Sequence, residues 1–356
     1  MTQIENDNFL RACWRKETDF TPVWFMRQAG RYLESYRKVR AENDVLTICK
    51  TPELSAKVTV AAVDELGVDA AILFADIMLP LDALGVKLEL VDGVGPVIQN
   101  PVTGMEDVGR FEEFSPKDQV PYVMESIGAV KQTLDEHVPL IGFSGAPFTL
   151  ASYLIEGSPS REFLKTKKMM YSHLDVWNAL MSRLARIVSS YLQAQISAGV
   201  DAVQLFDSWS GSLAPADYQE FVLPYNKEIL ETLSSTRVPR IHFGVGTAGI
   251  LKTMKEAGGD VIGVDWRVPI DEAWTNVGNV AIQGNLDPAT LLGQWNVVES
   301  RTEEILSRIG GRSGHIFNLG HGVLPETPVD MAQRLVQFVH ESTQRRSQES
   351  LIPWSI

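Results

Sequence analysis

The chain is poor in cysteine. Among its 356 residues there are only two, Cys13 and Cys49, too few for a disulfide framework or a thiolate zinc site. Its six histidines include no HxxxH or HxH pair, so the short-spaced metal-binding patterns are missing as well. No apolar run approaches the about 18 residues of a transmembrane helix, and the opening MTQIENDNFL lacks the charged-then-apolar order of a secretory signal. A cytoplasmic protein without a membrane partner is expected. Basic residues are outnumbered, 32 Lys and Arg against 45 Asp and Glu, for a net charge of −13; that excludes non-specific binding to nucleic acid. GxxxxGKS/T and GxSxG are absent, which removes the Walker-type phosphate loop and the nucleophile elbow. No linker, low-complexity tract or composition shift interrupts the chain. One domain over residues 1–356 is expected, with 1–21, which carry Phe9, Leu10 and Trp14, as an N-terminal capping segment.

Against that acidic background, arginines gather in one place. The stretch PVWFMRQAGRYLESYRKVR, 22–40, opens with an apolar run and then carries Arg27, Arg31, Arg37 and Arg40. Clustered guanidiniums at the exit of a strand suit a ligand with several carboxylates or phosphates. A solvated basic helix face is the competing reading, and it fits Arg37 and Arg40 well. Arg27 follows Trp24, Phe25 and Met26 directly and must sit at the edge of whatever they bury.

The rest of the chain alternates. Thr51-Pro52-Glu53 has the N-cap and N1 signature of a helix start, and Gly67 the stop. LGVDAAILFAD at 66–76, AGVDAVQLFDS at 198–208 and AGGDVIGVDW at 257–266 share one pattern: a Gly stop, an Asp, a short apolar strand and a closing acid. Strands are expected at 22–27, 70–75, 138–143, 201–206, 238–243, 260–264, 279–284 and 314–319, apolar without alternation as in a parallel sheet buried on both faces. Helical patterns lie between them, the clearest at 172–198 with Leu174, Trp177, Met181, Leu184, Val188, Tyr191 and Gln195 in phase. Others run near 120–136, 215–235, 247–257, 288–309 and 328–346. The expected fold is α/β, a (β/α)8 barrel. The segment 84–102, with Asp92-Gly93 between β-rich flanks, reads as a small hairpin inserted after the second strand.

A barrel carries its site at the C-terminal ends of its strands. Those positions are Arg27, Asp76, Ser144, Asp207 with Ser208, Gly244, Asp265, Asn285 with Asp287, and His321. For Asp207, Asp265 and Asp287 the plainer reading is an N-cap of the next helix. Asp76 precedes apolar Ile77-Met78-Leu79-Pro80 and needs either a cationic partner such as Arg27 or donors from a ligand. His321 lies between Gly320 and Gly322, which would let backbone and imidazole approach a ligand closely, although a satisfied turn histidine fits equally well.

Five segments, PVWFMRQAGRYL (22–33), LFADIM (73–78), GFSGAPFTLASYLIEG (142–157), FDSWSG (206–211) and FNLGHGVLPETP (317–328), occur in this order over nearly the whole length. With them the chain resembles the uroporphyrinogen decarboxylases. The family's usual YLPEY is here Tyr32-Leu33-Glu34-Ser35-Tyr36, which alters the helix start before Arg37. The resemblance implies a homodimeric enzyme without cofactor or metal, acting on uroporphyrinogen, a cyclic tetrapyrrole with eight carboxylates, and turning its four acetate arms into methyls. It also implies that Arg27, Arg31 and Arg40 meet substrate carboxylates and that Asp76 takes the pyrrole N–H groups. Tyr153, Ser208 and His321 would line the cleft, with Asp76 and Arg27 closest to the chemistry. Corrinoid-dependent methyltransferases share the barrel but need a zinc site of His and Cys; Cys13 and Cys49 lie far from any later strand end, and no HxC occurs. A tetrapyrrole binder that has lost catalysis would have no use for an intact Asp76 facing an octacarboxylate.

Overall fold

The computed structural model describes residues 4–91, 95–111, 113–134 and 138–345. Its strands among these residues are β1 (Ala71–Ile72), β2 (Leu88–Val91), β3 (Gly95–Ile98), β4 (Leu140–Gly145), β5 (Ala202–Asp207), β6 (Arg240–Gly244), β7 (Val261–Gly263), β8 (Ala281–Gln283) and β9 (His315–Ile316). Seven form one parallel sheet in the order β1-β4-β5-β6-β7-β8-β9. β2 and β3 pair antiparallel outside it; the Asp92-Gly93 turn expected between them lies outside the described residues. The large sheet is curled. Gln283 on β8 donates to Gln204 on β5 at 3.0 Å, although three strand spacings would separate the two by about 14 Å in a flat sheet.

The repeated Asp has one task. Asp201 Oδ2 accepts the Leu140 amide at 2.8 Å and Asp260 Oδ2 the Arg240 amide at 2.9 Å, while the backbone amides of both aspartates return to the carbonyls of Leu140 and Arg240. Each aspartate thus clamps the first residue of the preceding strand. Asp69 makes the same pair of bonds with Val23, accepting its amide at 2.6 Å and donating to its carbonyl at 2.7 Å.

Residues 22–27, expected as a strand, are a correction. Val23 alone bridges, in parallel, to Phe317. Trp24 N–H donates to Phe317 O at 3.3 Å within that bridge, and the two amides after it are taken by side chains rather than a ladder: Phe25 N–H donates to Gln28 Oε1 at 3.2 Å and Met26 N–H to Asn318 Oδ1 at 3.4 Å. The run then ends at Arg27, whose φ of 59° lies in the left-handed region.

The helices follow the pattern with local differences. Pro52–Leu66 stops on Gly67 at φ 68°, but the Thr51 hydroxyl does not cap it; it donates to Thr47 O at 2.8 Å instead. Leu174–Ala198 buries Trp177, Met181, Leu184, Val188, Tyr191 and Gln195 and leaves Leu174 exposed at its first turn. The pattern at 215–235 splits into Pro215–Phe221 and Leu223–Thr232 because Pro224 has no N–H to continue the first helix. Asn8–Cys13 packs against β8 and β9 with Phe9 buried and Trp14 exposed. No helix among the described residues is long and apolar enough to cross a membrane.

Candidate active site

At the C-terminal ends of the strands a cavity of ≈1170 Å³ opens. Arg27, Arg31 and Arg40 line it, and so do Asp76, Tyr153, Ser208 and His321. All seven expected site residues therefore meet in one place. Arg37 does not line it; its guanidinium donates to the carbonyls of Arg31 and Tyr32 at 2.9 and 2.7 Å and fastens the turn before its own helix, Glu34–Glu42.

Six other strand-end candidates, Ser144, Asp207, Gly244, Asp265, Asn285 and Asp287, are absent from the cavity wall. For Ser144, Asp207 and Gly244 the reason is parity. Successive side chains on a strand face opposite ways, so Phe143, Phe206, Ser208 and Phe243 face the cavity while Asp207 faces the helices. There Asp207 Oδ2 accepts from Asn226 at 2.8 Å and Tyr218 at 3.3 Å, with His242 Nε2 at 3.4 Å, all fully buried. It is not an N-cap. Neither is Asp265, whose carboxylate takes the Gly246 amide at 2.8 Å and pairs with Arg267. Asp287 is one: its Oδ1 accepts from Ala289 at 2.9 Å at the head of the 3-10 turn Pro288–Leu292.

Sequence reading missed the aromatic floor, where Phe206 meets Phe143 and Phe243 edge-on at 5.5 and 5.9 Å. The parity of β4 to β6 held that signal. It also missed Asp44, Lys50 and Glu89, which reach the wall from a helix start, a helix end and β2. No local pattern marks those three.

Asp76 is held by one oxygen. Its Oδ1 accepts the Met78 amide at 2.8 Å, and among the described residues no hydrogen bond or ion pair reaches Oδ2. Of the two alternatives for Asp76, the ion pair with Arg27 is not formed among the described residues. Burial pushes the carboxyl above the ordinary range, while the Met78 amide and the nearby Arg27 charge pull it back only in part. Arg27 itself is exposed to the cavity and makes no ion pair within the described residues. Tyr153 is pushed up by burial and by the Asp76 charge, so its hydroxyl stays protonated.

His321 is both a satisfied turn residue and a wall of the cavity. Its Nδ1 accepts the Gly322 amide at 2.7 Å, leaving the proton on Nε2 as a donor. Burial, then Arg27 and Arg267, push its pKa down to about 4. The flanking glycines serve protein packing rather than ligand access: a Cβ at 320 would sit 2.5 Å from the Trp266 nitrogen, and one at 322 would sit 2.5 Å from Arg27 Cδ.

His315, buried with Nε2 donating to Gly284 O at 2.9 Å, is likewise pushed down to about 4 by burial. Both are neutral when folded and bind a proton near pH 6.5 when unfolded. Stability is therefore complete above about 6.5 and declines towards pH 4, by about 1.4 kcal/mol per pH unit for each histidine. Thermal unfolding from pH 6.5 to 4.5 should show His321→Gln with a shallower decline than the wild type; equal slopes would refute the assignment.

Among the described residues no group of three His, Cys, Asp or Glu side chains is arranged to hold a metal ion. The model of the family described as uroporphyrinogen decarboxylase (URO-D) matches residues 4–342. The uroporphyrinogen decarboxylase of Sorangium cellulosum is 51% identical over 336 residues, 94% of this chain and 96% of that protein. That of Streptomyces coelicolor is 52% identical over 345 residues, 97% of each. Among solved structures, a methyltransferase from Methanosarcina mazei superposes with a TM-score of 0.78 over 96% of this chain and 99% of its own, at 19% identity. That likeness shows the shared fold alone.

Proposed function

The chain belongs to the uroporphyrinogen decarboxylase family, carboxy-lyases of tetrapyrrole biosynthesis, and we propose that it converts the four acetate arms of uroporphyrinogen III to methyls, giving coproporphyrinogen III and CO2 without a cofactor. The observation that carries the residue roles is Asp76: a carboxylate with one oxygen fixed by Met78 and the other unpartnered among the described residues, on the wall of a cavity that also carries Arg27, Arg31 and Arg40.

Each decarboxylation consumes one proton and releases one CO2. A proton adds to the ring α-carbon next to the carbon that bears the acetate arm, and the pyrrole becomes an iminium-like cation conjugated with that arm. The bond between the arm's CH2 and its carboxylate then breaks, its electron pair flowing into the ring to leave an exocyclic methylene. Protonation of that methylene and loss of the ring proton give the methyl. The pyrrole is its own electron sink, the work that a cofactor supplies in other decarboxylases.

Asp76 faces the cation that forms only during reaction, and its carboxylate is in place beforehand, so no reorganisation is needed. Arg27, Arg31 and Arg40 hold substrate carboxylates in both ground and transition state, which orients the ring but does not by itself accelerate the step. Neutral His321 donates through Nε2, and Tyr153 and Ser208 donate from their hydroxyls to the remaining arms. The aromatic floor at Phe143, Phe206 and Phe243 carries the apolar face of the macrocycle.

The complete (β/α)8 barrel is part of the same reading. It is supported by Val23, which bridges Phe317 on one side and is clamped by Asp69 on the other as β4 and β6 are clamped by Asp201 and Asp260. The Val23 bridge would then mark the place of the eighth stave and the β2–β3 pair would be an inserted hairpin walling the cavity, all within one domain spanning the chain. A cytoplasmic homodimer rests on the family resemblance.

Incubating the purified protein with uroporphyrinogen III under anaerobic, reducing conditions and separating the oxidised porphyrins by chromatography tests the function. Coproporphyrin, preceded by partly decarboxylated species, is expected; recovery of uroporphyrin alone would end the proposal.

A further inference from the structure

The segment that carries Arg27 is held by one strand bridge to Phe317, by the Asp69 and Asn318 side chains and, through Trp24, by a string of amides crossing the inside of the sheet. The fully buried indole of Trp24 donates to Gln283 Oε1 at 3.0 Å, and Gln283 Nε2 donates to Gln204 Oε1 at 3.0 Å. Trp24, Gln283 and Gln204 are no more than 1% exposed, and Gln204 Nε2 has no partner among the described residues. Because an indole can only donate, the direction of the string is fixed: Gln283 must present its oxygen to Trp24 and its NH2 to Gln204.

Burying carboxamides in an interior is costly unless they secure something. What this string secures is the segment 22–27, in which Val23 makes the single strand bridge among the described residues and from which Arg27 reaches the cavity three residues after Trp24. Neither Trp24 nor Gln283 lines the cavity, so neither meets a ligand. We infer that Gln283, through Trp24, is a positioning residue for Arg27, setting where its guanidinium stands for a substrate carboxylate. The inference rests on reading Arg27 as a carboxylate ligand.

The test is a double-mutant cycle on kcat/KM for uroporphyrinogen, at a temperature where every variant is folded by circular dichroism. Gln283→Met removes the acceptor at similar volume, and displacing Arg27 should lower kcat/KM about tenfold, mostly through KM. In an Arg27→Ala background the same change should cost less than about twofold, since coupled residues are not additive. Gln283→Glu, which keeps an oxygen for Trp24, should recover part of the loss. Trp24→Phe, the second arm should Gln283→Met fail to fold, is expected to show the same dependence on Arg27. Equal losses with and without Arg27 would mean a merely structural role and would overturn the inference while leaving Arg27 as a ligand. A normal KM in Arg27→Ala alone would remove the carboxylate reading, and the inference with it.

Discussion

Asp76→Asn is expected to lower kcat by roughly 100- to 1000-fold, the usual effect of removing one preorganised electrostatic contact to a transition state. Ground-state binding rests mainly on the arginines and so largely survives, while the charge opposite the developing cation is lost. Stability should move the other way. Burial raises the Asp76 pKa, so this carboxyl favours the folded state while protonated and loses that contribution as pH rises through its folded pKa. At neutral pH the ionised group costs stability, and a neutral isostere should give a Tm equal to or above the wild type. The same shift shapes the pH profile. Activity requires the ionised form, so kcat/KM should fall on the acid side at a pH above the ordinary carboxylate range of about 4. Steady-state kinetics across pH together with thermal melts check all three; a variant with wild-type kcat, or one that is inactive because it is unfolded, would remove Asp76 from the role given to it.

Arg27→Ala should act on a different quantity. A hydrogen bond to a charged group is worth about 1.5–3 kcal/mol, so KM should rise by roughly one to two orders of magnitude, with kcat at saturation little changed. Arg27 also lowers the Asp76 pKa. Its removal should carry the acid limb of kcat/KM to still higher pH, an effect that a simple loss of binding would not produce. Substrate-dependence curves at several pH values separate the two. An unaltered KM, or an acid limb that stays in place, would show that Arg27 stands apart from both the substrate and Asp76.

Much of this arrangement is legible in the sequence because it depends on local rules. The Gly–Asp–strand pattern marked Asp69, Asp201 and Asp260, and each proves to clamp the start of the preceding strand or bridge. Asp287 before Pro288 reads as a cap and is one. The arginine cluster and Asp76 stood out because their charge conflicts with their surroundings. Other features depend on tertiary structure. Whether a strand-end residue faces the cavity or the helices is a matter of parity, and taking the closing acid of each strand put Asp207 on the wrong face. The run 22–27 has strand composition, but its Phe25 and Met26 amides go to the side chains of Gln28, in the turn just after it, and of Asn318, 292 residues on, and neither partner leaves a periodic trace. The glycines around His321 read as room for a ligand; in the fold they are room for Trp266 and Arg27.

The division of labour, arginines for holding and Asp76 for the transition state, is tested most directly by titrating Asp76→Asn and Arg27→Ala side by side with uroporphyrinogen, following equilibrium binding and the rate of a single turnover at saturation. The expected pattern is crossed: Asp76→Asn binds nearly as the wild type yet releases CO2 at least about 100-fold more slowly, whereas Arg27→Ala binds weakly and, once saturated, turns over at close to the wild-type rate. If Asp76→Asn instead loses affinity while its bound substrate reacts at the normal rate, the roles assigned to Asp76 and Arg27 are wrong.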